Sequence, residues 1–258
     1  MKVKNKVVIL TGAATGIGRA TAILFAKEGA KQVLSDVNDA EGNKTLQLVK
    51  KEKGEAIYLH CDVTKGPEVK KMVDKAIETY GHMDILINNA GVVRVGQVED
   101  MSEQEYDLLI NTNLKGPYFC CHYAVPLLKQ QKSGIIINIA SVAGHIGQVN
   151  HALYCSTKHG IRGMTKALAL DLAPYNIRVN SLSPGATDTP MLVSDVTKQA
   201  KDRGIAYEVV KKEFEKEGVM GRWASPEEIA LGILFLASED ASYMTGADLL
   251  LDGGWTAR

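Results

Sequence analysis

Val7-Val8-Ile9-Leu10-Thr11-Gly12-Ala13-Ala14-Thr15-Gly16-Ile17-Gly18-Arg19 is the stretch whose reading decides the fold. Its first four residues are aliphatic with no polar alternation, the pattern of a strand covered on both faces of a parallel sheet. Glycines at 12, 16 and 18 then interrupt the chain, and an apolar helix is predicted through Phe25 to Gly29. Strand, glycine-rich turn and helix together aim backbone N–H groups and the positive end of a helix at a phosphate. The spacing is G-x-x-x-G-x-G, and Gly12, Thr15, Gly16, Ile17 and Gly18 are the expected cofactor-binding residues of this turn.

Working outward, the next predicted strand, Gln32-Val33-Leu34-Ser35, ends at Asp36, eighteen residues beyond Gly18. A carboxylate at that place accepts hydrogen bonds from the adenosine ribose hydroxyls. It also repels a 2′-phosphate, and Thr15 adds no positive charge to the turn, so NAD is expected rather than NADP. Ala56 to Cys61 is a third strand, closing on Asp62 and Val63, placed to meet an adenine edge and face. Pro67 to Tyr80 reads as an amphipathic helix, with Pro in its first turn and Gly81 past its end. Ile85-Leu86-Ile87 is strand four, and Asn88-Asn89-Ala90-Gly91 at its end suits a turn against a ligand, or one that pins neighbouring strands.

Ser102-x-x-Glu105 is a capping box, and one long helix is expected from there to about Gln130. Asn113 falls on its apolar face, where helices disfavour Asn. It either breaks the helix locally and holds a water or is a satisfied core amide. Ile135 to Ile139 is strand five and delivers Ser141 beyond its C-terminal end, where open α/β sheets bind ligands. Tyr154 and Lys158 lie four residues apart on one face of the next helix, Tyr154 to Leu172. A phenol titrates near about pH 10, and a neighbouring ammonium favours its phenolate, so the pair can form an acid/base centre. His145, His151 and His159 show no carboxylate partner in local spacing and read as loop or surface residues. Arg178 to Leu182 is strand six, Ser225 opens a helix through Leu236, and Leu249-Leu250-Leu251 is strand seven. Residues 190–219 are polar and weakly periodic, and are expected to form a mobile substrate lid hinged at Gly204 and Gly218.

At 258 residues the chain fits one large domain. Lys+Arg and Asp+Glu are both 30, which gives no electrostatic case for a nucleic acid or a membrane as partner. No apolar run is long enough to span a bilayer, and the N-terminus has no secretory pattern. Cys61, Cys120, Cys121 and Cys155 lie in apolar stretches without a C-x-x-C, as reduced thiols of a cytoplasmic protein would. No metal is expected.

T-G-x-x-x-G-x-G at Thr11 to Gly18, N-N-A-G at Asn88 to Gly91, Asn113, Ser141, and Y-x-x-x-K at Tyr154 to Lys158 fall in one order along the chain. With Pro184-Gly185 and the closing Tyr243-to-Gly254 segment, they resemble the short-chain dehydrogenase/reductase family, of the NAD-preferring cofactor-first type. The resemblance implies a Rossmann-like, doubly wound, seven-stranded parallel sheet with helices on both faces, in a single domain of the α/β class. It implies that Tyr154 exchanges a proton with the substrate oxygen and that Ser141 hydrogen-bonds that oxygen. Lys158 would bind the nicotinamide ribose and lower the pKa of Tyr154, and Asn113 would hold a water linking Lys158 to solvent. Asn89, Ala90, Gly91, Pro184, Gly185, Thr187 and Thr189 would complete the cofactor site, although Thr187 stands where the family usually has an aliphatic residue. Ser141, Val142, His145, Gln148, Tyr154 and Met191 would face a small alcohol or ketone substrate. A homotetramer is expected. The alternatives are an NADPH-dependent 3-oxoacyl thioester reductase and a non-catalytic NAD-sensing regulator.

Overall fold

The computed structural model describes residues 1–257. The first half alternates strand and helix without exception: β1 (Val7–Thr11), α1 (Gly16–Lys27), β2 (Lys31–Asp36), α2 (Asp39–Lys51), β3 (Glu55–His60), α3 (Gly66–Tyr80) and β4 (Ile85–Asn88). Then come α4 (Glu103–Ile110), α5 (Gly116–Gln131), β5 (Gly134–Ile139), α6 (Ala152–Leu172), β6 (Ile177–Pro184), α7 (Pro190–Arg203), α8 (Tyr207–Glu217), α9 (Pro226–Ala237) and β7 (Asp248–Leu251). The strands form one sheet in the order β3-β2-β1-β4-β5-β6-β7, and every pairing is parallel. This is the expected Rossmann-like doubly wound fold.

The uninterrupted apolar strands follow from helices covering both faces. Successive residues of β1 point to opposite sides. Val8 and Leu10 join one cluster with Phe25 of α1 and Ile229 and Ile233 of α9. Val7 and Ile9 join the other with Val69 and Met72 of α3 and Leu128 of α5. Each such fully buried side chain contributes about 1.5–3 kcal/mol by leaving water, so neither face tolerates a polar alternation.

The long helix expected from Ser102 to Gln130 is a correction. The capping box is present, with Ser102 and Glu105 bonding reciprocally. At Asn111–Lys115, however, the helix opens into a π turn before α5 resumes. Asn113 sits at the centre of that turn, which accords with the local disruption its residue type foreshadowed. The order of the sheet reverses beside β1, between β2 and β4, and the strands' C-terminal ends there open onto the site.

Candidate active site

A cleft of about 330 Å³ runs along the C-terminal ends of β1, β2, β4, β5 and β6. The turn after β1 forms one end. Gly12 has φ +66°, and a Cβ there would lie 2.7 Å from the Ala90 backbone. A Cβ at Gly18 would fall 2.0 Å from the Gly12 carbonyl, so only glycine lets the first turn of α1 close on β1. Thr11 fixes the turn from below, its hydroxyl accepting from the Asn89 and Ala90 amides at 3.1 Å. Asn89 returns two bonds, to the carbonyls of Thr11 at 3.0 Å and Gly12 at 2.8 Å. Asn88 donates to Asn138 at 2.8 Å and Asn138 to Thr165 at 2.9 Å, tying β4, β5 and α6 beneath the cleft. The N-N-A-G segment therefore pins strands while Asn89, Ala90 and Gly91 also line the cleft.

Asp36 lines the cleft at the end of β2 and orients its carboxylate by accepting from the Ala14 and Asn38 amides, both at 3.0 Å. Arg19 was not singled out in the sequence, and it is the cation nearest this turn in the chain. Its guanidinium is spent on Glu41 at 2.7 Å, Thr45 at 3.0 Å and the Ala14 carbonyl.

At the other end, β5 delivers Ser141 and α6 delivers Tyr154 and Lys158, and all three line the cleft. The Ser141 hydroxyl accepts from the Ala143 amide at 3.2 Å and lies beside the Tyr154 phenol, whose ionised form it favours. Lys158 is buried, donates to the Ile139 carbonyl at 2.9 Å, and lies 5.6 Å over the Tyr154 ring. Burial dominates the titration of both groups. It pushes the Tyr154 phenol up to about 12, against the Ser141 hydroxyl that lowers it and with Asp195 adding to the rise. It pushes the Lys158 ammonium down to about 8. Burial is the largest influence on the phenol, and it opposes the lowering expected from Lys158.

Asn113 accepts from the Val92 amide at 2.8 Å and donates to the Val92 carbonyl at 2.8 Å and to Thr157 at 3.3 Å. Both amide protons are used, so the side chain ties the segment after β4 to the catalytic helix. Pro184, Gly185, Thr187 and Thr189 line the cleft as expected. Thr187 donates to the Gly185 carbonyl at 3.0 Å, and Thr189 caps α7. Val142, Gln148 and Met191 also face the cavity.

Like Asn113, three further expected residues stand apart from the lining. His145 has its Nε2 2.6 Å from Asp248 Oδ2, a carboxylate that also bonds Ser181 and Ser183 and lies 3.7 Å from Arg162. That cluster anchors the loop after β5 to β7 and holds the imidazole outside the cleft lining. Asp62 accepts from the Thr64 amide at 3.0 Å and its hydroxyl at 2.8 Å, so its side chain organises its own turn. Val63 is buried in the core against Gly116, whose Cβ would lie 2.7 Å from Val63 Cγ2.

His151 corrects the surface reading. It is buried, lines the cleft, and has Nε2 3.7 Å from Asp195 Oδ2 of α7. Only the fold brings these two together. Phe214 and Trp255 form the remaining aromatic wall, their rings 6.5 Å apart and edge-on.

Residues 190–219 are two helices with a core of their own, Val196, Ala200 and Val210, packed by Leu192, Ile205, Tyr207, Phe214 and Trp223. Gly204 is the left-handed cap of α7 at φ +63°, making the turn that folds α7 onto α8, and so does not act as a free hinge. The excursion leaves and returns at one paired base, where Asp188 donates to the Ala224 carbonyl at 2.9 Å and Ala224 to that of Ala186 at 2.8 Å.

Comparison with known proteins agrees with this geometry. A family model described as enoyl-(acyl carrier protein) reductase matches residues 12–256. The chain belongs to the short-chain dehydrogenase/reductase family. It is similar to the trans-4-hydroxycyclohexanecarboxylate dehydrogenase of Sinomonas cyclohexanicum, at 38% identity over 99% of this chain and 95% of that one. It is also similar to the 3-oxoacyl-[acyl-carrier-protein] reductase of Thermotoga maritima, at 37% over 98% and 99%. The crystal structure of levodione reductase superposes with a TM-score of 0.95 at 31% identity, covering 99% of each chain. The family is one of oxidoreductases that use a nicotinamide cofactor, NAD or NADP. Nearly equal identity to a cyclic-alcohol dehydrogenase and an acyl reductase leaves the distinction to the site.

Proposed function

We propose that this protein interconverts a secondary alcohol and its ketone with NAD(H), using Tyr154 as the acid/base. The observation that carries the reading is the convergence of Ser141, Tyr154 and Lys158 at one end of a cleft whose other end is the glycine turn and Asp36. The residues fit a dinucleotide. Cβ atoms at Gly12 and Gly18 would collide with backbone, so the turn exposes main chain, and Asp36 sits where a ribose would be met. When bound, the oxidised cofactor supplies the hydride acceptor and a positive charge that favours phenolate.

In the alcohol-to-ketone direction, the Tyr154 phenolate takes the hydroxyl proton as the carbon gives up its hydride, so charge does not build on the oxygen. Ser141 hydrogen-bonds that oxygen and holds it against the phenol. Lys158, anchored on the Ile139 carbonyl, would bind the ribose hydroxyls and carry the proton gained by Tyr154 away toward solvent. In the reverse direction the neutral phenol donates. Val142, Met191, Leu192 and Phe214 exclude water from the reacting carbon.

NAD is favoured because Asp36 presents a carboxylate where a 2′-phosphate would lie, and Arg19 is committed to Glu41 and Thr45. The same observation disfavours the NADPH-dependent thioester reductase. The helix pair α7–α8 is proposed to move as one body over the substrate about its base at 186–188 and 224. The four free, buried cysteines suit the reducing cytoplasm proposed for it. Incubating the protein with NAD and a panel of secondary alcohols at alkaline pH should produce NADH absorbance. No turnover across the panel would favour an NAD-sensing regulator instead.

A further inference from the structure

Beyond Ser141, Tyr154, Lys158 and the Gln148 amide, the substrate half of the cleft holds one ionisable pair. His151 at the N-terminal cap of α6 and Asp195 on α7 both line it, with side chains 8% and 6% exposed. Burying two ionisable groups in a substrate cavity carries a desolvation cost that needs a reason.

Their hydrogen bonds define what the pair lacks. His151 Nδ1 is 2.7 Å from the Val149 carbonyl, which can only accept, so Nδ1 carries a proton. Nε2 then faces the Asp195 carboxylate at 3.7 Å, too far for a direct hydrogen bond. The other carboxylate oxygen accepts from Gln199 at 3.1 Å. Burial works against the imidazolium, but the Asp195 carboxylate and the Val149 carbonyl outweigh it and hold the His151 pKa above its ordinary value. The pair therefore offers an N–H donor and a carboxylate acceptor side by side, not bonded directly to each other.

Resting on the alcohol dehydrogenase reading, we propose that His151 and Asp195 clamp a second hydroxyl of the substrate, which makes the preferred substrate a diol or polyol. A hydroxyl is both donor and acceptor. Its oxygen, seated beside the pair at about 2.8 Å from each atom, would accept from Nε2 and donate to Oδ2 as the two part slightly. A second ketone can accept from His151 but meets Asp195 with a lone pair. An ammonium satisfies Asp195 but faces the imidazolium. The His151 and Tyr154 rings are neighbours, with centroids 6.3 Å apart, so hydroxyls one and two carbons from the reacting carbinol are the ones to compare. Because Asp195 rides on α7, a diol also links the helix pair to the catalytic helix, so that closure reports the correct substrate.

The test compares cyclohexanol with trans-cyclohexane-1,2-diol and cyclohexane-1,3-diol in the wild type, Asp195→Leu and His151→Asn. Asn keeps a donor for the Val149 carbonyl and removes Nε2, so it carries the test should Asp195→Leu fail to fold. Wild type should favour one of the diols in kcat/KM by roughly ten- to a hundredfold, since a buried acceptor left unpaired discriminates strongly. Both variants should bring that ratio near unity while cyclohexanol turnover persists, a change that loss of a merely structural ion pair would not cause. An unchanged ratio in both variants, or a wild type indifferent to the second hydroxyl, overturns the clamp. Trp255 fluorescence titrations with the same alcohols read binding without turnover. Were no NADH formed, the dehydrogenase reading would fall, and the clamp would stand or fall on the diol preference in those titrations.

Discussion

Lys158 Nζ donates to the carbonyl of Ile139 at 2.9 Å, which anchors the catalytic helix to the last residue of β5, two positions before Ser141. The ammonium is buried and its pKa falls from 10.5 to about 8. Below pH 8 the folded protein holds a charge that the unfolded chain would hold in water, at a cost of roughly 3 kcal/mol. Between pH 8 and 10.5 the folded form has released the proton and the unfolded form has not, so the cost fades as pH rises. Lys158→Met should therefore raise the midpoint of chemical unfolding at pH 7. That advantage should shrink steadily between pH 8 and 10.5. A variant less stable than wild type at pH 7 would contradict the buried-charge account.

Tyr154→Phe keeps the ring and removes the titrating proton. Turnover should fall by at least about two orders of magnitude, while NADH binding, read by fluorescence, changes little. In the wild type, alcohol oxidation needs phenolate, so its rate should climb with pH toward the alkaline range. Substantial turnover by the Phe variant would remove Tyr154 from the proposed role.

Asp36→Ala removes the carboxylate oriented by the Ala14 amide. The variant should lose affinity for NAD and gain relative efficiency with NADP. The ratio of kcat/KM values for the two cofactors is the measurement, and a wild type already favouring NADP would refute the electrostatic argument.

The helix pair α7–α8 holds together through Val196, Ala200 and Val210 and through the Arg203–Glu213 ion pair. Motion as one body would keep Val196, Ala200 and Val210 together and open the contacts at the base. Amide hydrogen exchange at Asp188 and Ala224, the paired base, should be fast in the free protein, and NAD with substrate should slow it. Equal rates with and without ligands would indicate a fixed cover.

Tyr106, Leu108, Tyr118 and Leu170 remain exposed on α4, α5 and α6 although those helices already cover their sheet face. A homotetramer with two-fold axes through these helices would bury them. Sedimentation should return four chains at micromolar concentration, and a monomer would contradict this.

The sequence by itself determined the strands, the glycine turn and the positions of the candidate acid/base residues, because each depends on neighbours along the chain. Unbroken apolar runs such as Val7 to Leu10 report burial on both faces, and Gly12 and Gly18 report where a side chain cannot fit. Tyr154 and Lys158 share a helix face by spacing alone. The π turn at Asn113 was legible only as a residue out of place. Tertiary structure alone decided the rest. His145 and His151 look alike in sequence, yet one is bound to Asp248 of β7 and the other faces Asp195 of α7. Both partners lie far along the chain, and no local pattern encodes which imidazole meets which carboxylate. The titration of the Tyr154–Lys158 pair was also hidden, since spacing sets their proximity while burial by surrounding elements sets their charge. The helix pair looked loose for the same reason: its charged residues are contiguous in sequence, while its core forms only when α7 folds back on α8.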